Sequence, residues 1–205
     1  MKNITALLLI ILFIACQSDK KQSSTESNTT STSDVKTNNN RLKYGDYSSL
    51  LINFDCNMTI SEVAEVLELP ETAISTSDYQ RKGKCSFNVK GFGTNTLGDK
   101  STISWGPFPT SKAQNKKEIT NYLKRKKEGL KIMGMDIQRA ETGDCYLAYQ
   151  PAHGRLIIYN ENYDAAFIIN YGRRNANTDR TKEQHEELRL KMTDLANYLL
   201  KKHRK

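Results

Sequence analysis

The stretch that decides the fold is RLIIYNENYDAAFIINY, residues 155–171. Leu156, Ile157, Ile158 and Tyr159 follow one another without a polar break, and residues 165–169 repeat the pattern after the turn Asn160-Glu161-Asn162-Tyr163-Asp164. Successive side chains of a strand point to opposite faces, so an unbroken apolar run predicts a strand covered on both sides. A sheet covered on both sides needs helices on both.

Upstream, residues 137–140 and 145–149 carry further strand patterning, separated by Gly143-Asp144 and followed by the connector Pro151-Ala152-His153-Gly154. Residues 137–171 count as three strands. Two more precede them. Cys85, Phe87 and Val89 alternate with Ser86, Asn88 and Lys90, and a second strand holds Ile103 and Trp105 before Gly106-Pro107-Phe108-Pro109 closes it. Gly91, Gly93 and Gly98-Asp99 mark the turn between them.

Three helices complete the order. A short one follows the capping pair Thr59 and Glu62, with Met58 placed to staple onto Val63, and Pro70 ends it. A second runs from Thr110 or Ser111 to about Lys127, with Ile119, Tyr122 and Leu123 on one side and lysines on the other. The third starts near Thr178 or Asp179 and carries Leu188, Met192, Leu195, Ala196 and Leu199 as one stripe. The expectation is an α+β fold: an α/β/α sandwich with a mainly antiparallel five-stranded sheet and three helices.

The N-terminal residues predict where the protein lives. Lys2 precedes an apolar run, residues 4–15, broken only by Thr5, and Cys16 follows at once. That is a secretory signal too short for a bilayer-spanning helix. The quartet Phe13-Ile14-Ala15-Cys16 resembles the lipobox of bacterial lipoproteins, where the signal is cut before a cysteine that is then acylated with diacylglycerol and palmitate. Residues 1–15 are thus read as a signal peptide, residues 16–41 as the lipidated Cys16 and a polar tether, and residues 42–205 as one globular domain. The tether has a single aliphatic residue, Val35, and cannot bury enough surface to offset its ordering entropy. Gln17, rather than Asp, resembles outer-membrane sorting, so the expected location is the cell envelope, at the periplasm, anchored in the outer membrane.

Cys56, Cys85 and Cys145 remain, and an exported chain meets an oxidising compartment. Pairing Cys56 with Cys85 would pin the short helix to the first strand; a bond through Cys145, or none, stays open. The layout of a lipobox and tether, a Cys before "ISEVAEVL", a second Cys heading a strand, "ETGDCYLAY", the hairpin above and a closing amphipathic helix resembles small exported lipoproteins of unassigned function. Their domain is a PsbP-like α/β/α sandwich. Phe87 stands where that family commonly has Trp. The resemblance implies the Cys56–Cys85 staple and a non-catalytic accessory or binding role.

The formal net charge is +8, with cations gathered between Lys112 and Lys131 and in the tail Lys201, Lys202, Arg204 and Lys205. An exported protein rarely meets nucleic acid, so anionic lipid or anionic glycan are the expected partners of such charge, or a solvated helix face its whole meaning. His153, His185 and His203 lie at no metal-ligand spacing, so no metal and no cofactor are expected. A Cys145–His153 nucleophile pair lacks an orienting third group. Asp55, Asp136, Asp144 and Asp164 are the carboxylates a hydrolase could draw on. The expected function is a non-catalytic, lipid-anchored binding or accessory module, not an enzyme, with an inhibitor or immunity lipoprotein and then an envelope hydrolase as alternatives. Trp105, Tyr163 and Tyr171, with Arg173 and Arg174, form the expected binding surface for an envelope protein or anionic glycan.

Overall fold

The computed structural model describes residues 44–94, 100–175 and 178–205. The expected signal peptide, lipidation site Cys16 and tether, and the expected turn at Gly98-Asp99, lie outside the described residues.

The sheet has seven strands, not five, and every pairing is antiparallel. They are β1 (Ile74–Thr76), β2 (Cys85–Thr94), β3 (Lys100–Pro109), β4 (Asp136–Arg139), β5 (Tyr146–Gln150), β6 (Arg155–Tyr159) and β7 (Ala165–Asn170), in spatial order β1-β2-β3-β7-β6-β5-β4. The described residues form four α-helices, not three: α1 (Ser48–Leu51), α2 (Ile60–Val66), α3 (Lys112–Lys127) and α4 (Lys182–His203).

The difference has physical causes. The segment 137–171 makes four strands, one for each of its four apolar runs, so the expected count of three falls one short; the connector at Pro151 is the 3-10 turn Pro151–His153 between β5 and β6. β1 is three residues long and only Ile74 of it is buried, so no alternation is visible. α1 is a single turn that buries Leu50 and Leu51, too short to show a helical period.

Two cores flank the sheet. On one face α1, α2 and α4 cover Phe87, Trp105, Leu147, Leu156, Ile158 and Phe167. On the other, Ile119 and Tyr122 of α3 pack over Ile137, Ala148, Ile157 and Ala166. Leu156 and Ile158 therefore face one core while Ile157 and Tyr159 face the other, which is what an unbroken apolar strand requires. Leu123 stays outside at 41% exposure. α3 packs against β4, β5 and β7. Beyond its edge the same face of β2 and β3 is polar, with Asn88, Thr102 and Ser104 half-buried and Lys90 exposed.

Local chemistry fixes the helices. Thr59 accepts the Glu62 amide at 3.2 Å, while the Glu62 carboxylate takes the Tyr198 hydroxyl and the Lys202 ammonium and so ties α2 to α4. α4 starts at a reciprocal capping box between Thr181 and Gln184, later than Thr178 or Asp179, because Thr181 meets the Gln184 amide at 3.1 Å. The Cys56–Cys85 disulfide joins the residue ahead of α2 to the head of β2, with Cα atoms 5.2 Å apart. Closing that loop stabilises the fold by roughly 3.5 kcal/mol on the chain-entropy estimate. Cys145 is a free, buried thiol.

Candidate functional site

Pairing between β2 and β3 ends at Cys85 and Trp105, so the last residues of β3 have β7 on one side and a free edge on the other. That edge carries Pro107 and Pro109. Proline has no backbone N–H and belongs where no ladder bond is needed. Phe108 pairs in register with Ala166, and Pro109 with Ala165. Against this edge lie Leu51 and Ile52 at the end of α1 and the β6–β7 turn with Asn162, Tyr163 and Asp164. Together they enclose a groove of about 530 Å³. Ile52 stands 60% exposed at its mouth, and Lys112 adds a cation.

Tyr163 and Asp164 are hydrogen-bonded at the groove wall. Asp164 accepts the Lys112 amide at 3.0 Å and its carbonyl accepts the Thr110 amide at 3.1 Å, which fixes the start of α3 to the turn. The Tyr163 hydroxyl donates to Asp46 at 3.0 Å and accepts the Tyr47 amide at 2.6 Å. Burial and the bond to Asp46 push the Tyr163 hydroxyl above its ordinary pKa, so it stays protonated. Asn115 braces the same turn from α3, donating to the carbonyls of Asn160, Tyr163 and Ala165 at 3.1, 2.9 and 2.9 Å. Leu51, Ile52, Pro107, Phe108, Pro109 and Ala165 make most of the lining apolar. Such a groove binds by burial of apolar surface.

The aromatic surface expected from the sequence is dispersed. Trp105 is 1% exposed and stacks on Phe87 at 5.4 Å, and Tyr171 is fully buried beside His185. Neither offers a ring to a partner. Tyr163 alone of the three lines the groove. Arg173 and Arg174 are exposed after β7. The parts of the groove that sequence reasoning missed are Leu51, Ile52 and the Pro107-Phe108-Pro109 edge, read there as a strand ending. The two prolines flanking an aromatic were the available signal.

The other candidates separate as well. Cys145 precedes β5 and His153 follows it, so about 17 Å of strand lies between them. Burial pushes the Cys145 thiol up to about 12, and its neighbour is Asn160 at 3.3 Å. Asp136 pairs with Lys126 at 2.9 Å, Asp144 is buried against Tyr47, and Asp55 is exposed; only Asp164 of the four lines the groove. His185 meets the Pro151 carbonyl at 3.0 Å and His203 meets Ser49 at 3.0 Å. Among the described residues no group of three His, Cys, Asp or Glu side chains is arranged to hold a metal ion, and no helix is long and apolar enough to cross a membrane.

The basic tail is built into the fold. Lys201 pairs with Glu141 and Lys202 with Glu62, each at 2.5 Å, and Arg204 reaches Asp144 at 3.3 Å. The cations of α3 are mostly on its exposed side.

Comparison with protein-family models, with curated proteins and with solved structures returns no match.

Proposed function

We propose that the chain is an envelope lipoprotein, anchored through Cys16 to the outer membrane, whose folded part is a non-catalytic module that holds an apolar segment of an envelope protein in the groove beside Tyr163. The observation that carries this reading is the groove itself: prolines on a free strand edge, an exposed Ile52, a mostly apolar lining, and Tyr163 and Asp164 held by hydrogen bonds. A proline-blocked edge does not invite an added strand, so recognition falls to side chains filling the groove. The likeness to small exported lipoproteins with a PsbP-like domain supports an accessory rather than a catalytic role. The disulfide suits an oxidising compartment.

Fractionation of cells carrying the full chain tests the proposal, together with mass spectrometry of the mature N-terminus. The expected result is a diacylated Cys16 in the membrane fraction, with Cys16→Ala unprocessed or soluble. A second arm fills the groove with Ala165→Arg, which should abolish the phenotype of the intact gene while leaving membrane retention unchanged. Unmodified Cys16 in a soluble product would overturn the anchor, and full function of Ala165→Arg would overturn the groove.

A further inference from the structure

The face of the sheet that α3 leaves open has an order of its own. Five strands place polar residues in one transverse row: Ser86 pairs with Ser104, Ser104 with Asn170, Asn170 with Arg155 and Arg155 with Gln150. Four strand spacings of about 4.8 Å give the row a length of roughly 19 Å. At its α3 end Gln150 donates to the Tyr122 hydroxyl and accepts from Arg155, each at 2.5 Å. At the other end the row opens into a pocket of about 300 Å³.

That pocket is lined by Tyr79, Arg81, Lys84, Ser86, Thr102 and Ser104. Its construction depends on a glycine. A Cβ on Gly106 would come within 2.7 Å of the Gly83 carbonyl and 2.9 Å of Lys84 Cγ, so only glycine lets the 81–84 turn cross β3 and hang its cations over the sheet. Arg81 and Lys84 are exposed and form no ion pair among the described residues. The hydroxyls of Ser86 and Ser104 have no hydrogen-bond partner there either. Tyr79 stands 77% exposed at the rim. Among the described residues no acidic side chain lines the pocket.

We propose that this face binds an acidic oligosaccharide, a carboxylate-bearing glycan of several sugar units. The charge complementarity is direct: two unpaired cations beside donors and acceptors suited to sugar hydroxyls, with one exposed ring to stack on a sugar face. A protein partner would need apolar anchors, which this lining lacks apart from Tyr79. Gln150 is buried and engaged, but Ser104, Asn170 and Arg155 carry the polar row roughly 10 Å along the sheet, which favours an oligomer over a monosaccharide. This site lies on the face opposite the α1–α2–α4 core and stands or falls independently of the groove beside Tyr163.

Calorimetric titration of the full chain in detergent micelles tests it. The probes are tetragalacturonate, its neutral methyl ester, and inorganic phosphate. Wild type should bind one tetragalacturonate saturably, and the methyl ester at least about tenfold more weakly, as expected when charge-assisted hydrogen bonds are lost. The double variant Arg81→Ala/Lys84→Ala should weaken binding about tenfold and Tyr79→Ala about fivefold. Lys116→Ala/Lys117→Ala on the exposed side of α3 should leave it within about twofold. All three variants should unfold at the wild-type temperature, because the altered side chains are exposed. No saturable binding by wild type, loss of binding in the α3 variant instead, unchanged binding in Tyr79→Ala, or equal competition by phosphate would each overturn the proposal.

Discussion

The backbones of Asp46 and Lys205 exchange two hydrogen bonds, at 2.9 and 3.0 Å. Around that clip the side chains converge on Asp144. Its carboxylate accepts the Tyr47 hydroxyl at 2.5 Å and the Gly45 amide at 2.8 Å, and it faces the Arg204 guanidinium at 3.3 Å. Asp46 in turn receives the Tyr163 hydroxyl. The segment entering the domain, the end of α4 and one wall of the groove are therefore one bonded unit. Its polar centre predicts how stability depends on pH.

Burial alone would raise the Asp144 pKa, but the Tyr47 hydroxyl, the Gly45 amide and the Arg204 charge outweigh it and hold the carboxyl below its usual range. A carboxylate depressed in the fold stabilises fully above its unfolded pKa of about 3.9, and that contribution is lost as pH falls through the folded value. Tyr47→Phe removes a hydrogen bond to a charged, buried group and should cost about 1.5–3 kcal/mol at pH 7. It should also move the acid unfolding midpoint to higher pH. Fluorescence of Trp105, the single tryptophan and fully in the core, reports both. An unchanged acid midpoint would show that Asp144 does not depend on Tyr47.

The thiols give a second expectation. With Cys56 and Cys85 bonded and Cys145 raised to about 12, the thiolate of Cys145 is about one part in ten thousand at pH 8. In a Cys16→Ala background a maleimide should label no thiol of the native chain and one thiol of the unfolded chain. Two further labelled thiols on unfolding would mean that the disulfide is absent. Cys56→Ser/Cys85→Ser should lower stability by roughly 3–4 kcal/mol in denaturant titration.

Of the described glycines, Gly154 leaves the least room for a side chain. At φ 59° its added Cβ would sit 1.9 Å from the Gly172 carbonyl oxygen. The same residue accepts the Tyr171 amide at 2.8 Å, which joins the start of β6 to the end of β7. Gly154→Ala should therefore cost at least about 2 kcal/mol, since both the left-handed conformation and the contact oppose a side chain. A loss within a few tenths of a kcal/mol would contradict that packing.

Tyr171 predicts the opposite sign. Its hydroxyl is buried without a hydrogen-bond partner among the described residues. Tyr171→Phe removes an unsatisfied polar atom and should be neutral or stabilising by up to about 1 kcal/mol. Clear destabilisation in the same titration would point to a partner for that oxygen.

The sequence made some of this legible and hid the rest for definite reasons. Leu156 to Tyr159 announce a strand between two cores because every side chain is apolar, and the stripe from Leu188 to Leu199 announces α4 because its period is helical. β1 and α1 are too short to show any period, and their stability comes from neighbours far along the chain. Alternation placed Trp105 on one face of β3 but could not say that α1, α2 and α4 would cover it. The groove depends on where the pairing of β2 with β3 stops, at Cys85 and Trp105, which is a matter of register between distant residues.

A photo-reactive amino acid at Ile52 in the full chain probes the groove in place, with Lys90 on the open sheet face as the reference position. Illumination of intact cells should give one discrete protein adduct from position 52, absent from position 90 and lost when Ala165→Arg fills the groove. A smear or no adduct from position 52, or an adduct that survives Ala165→Arg, would contradict recognition through this groove.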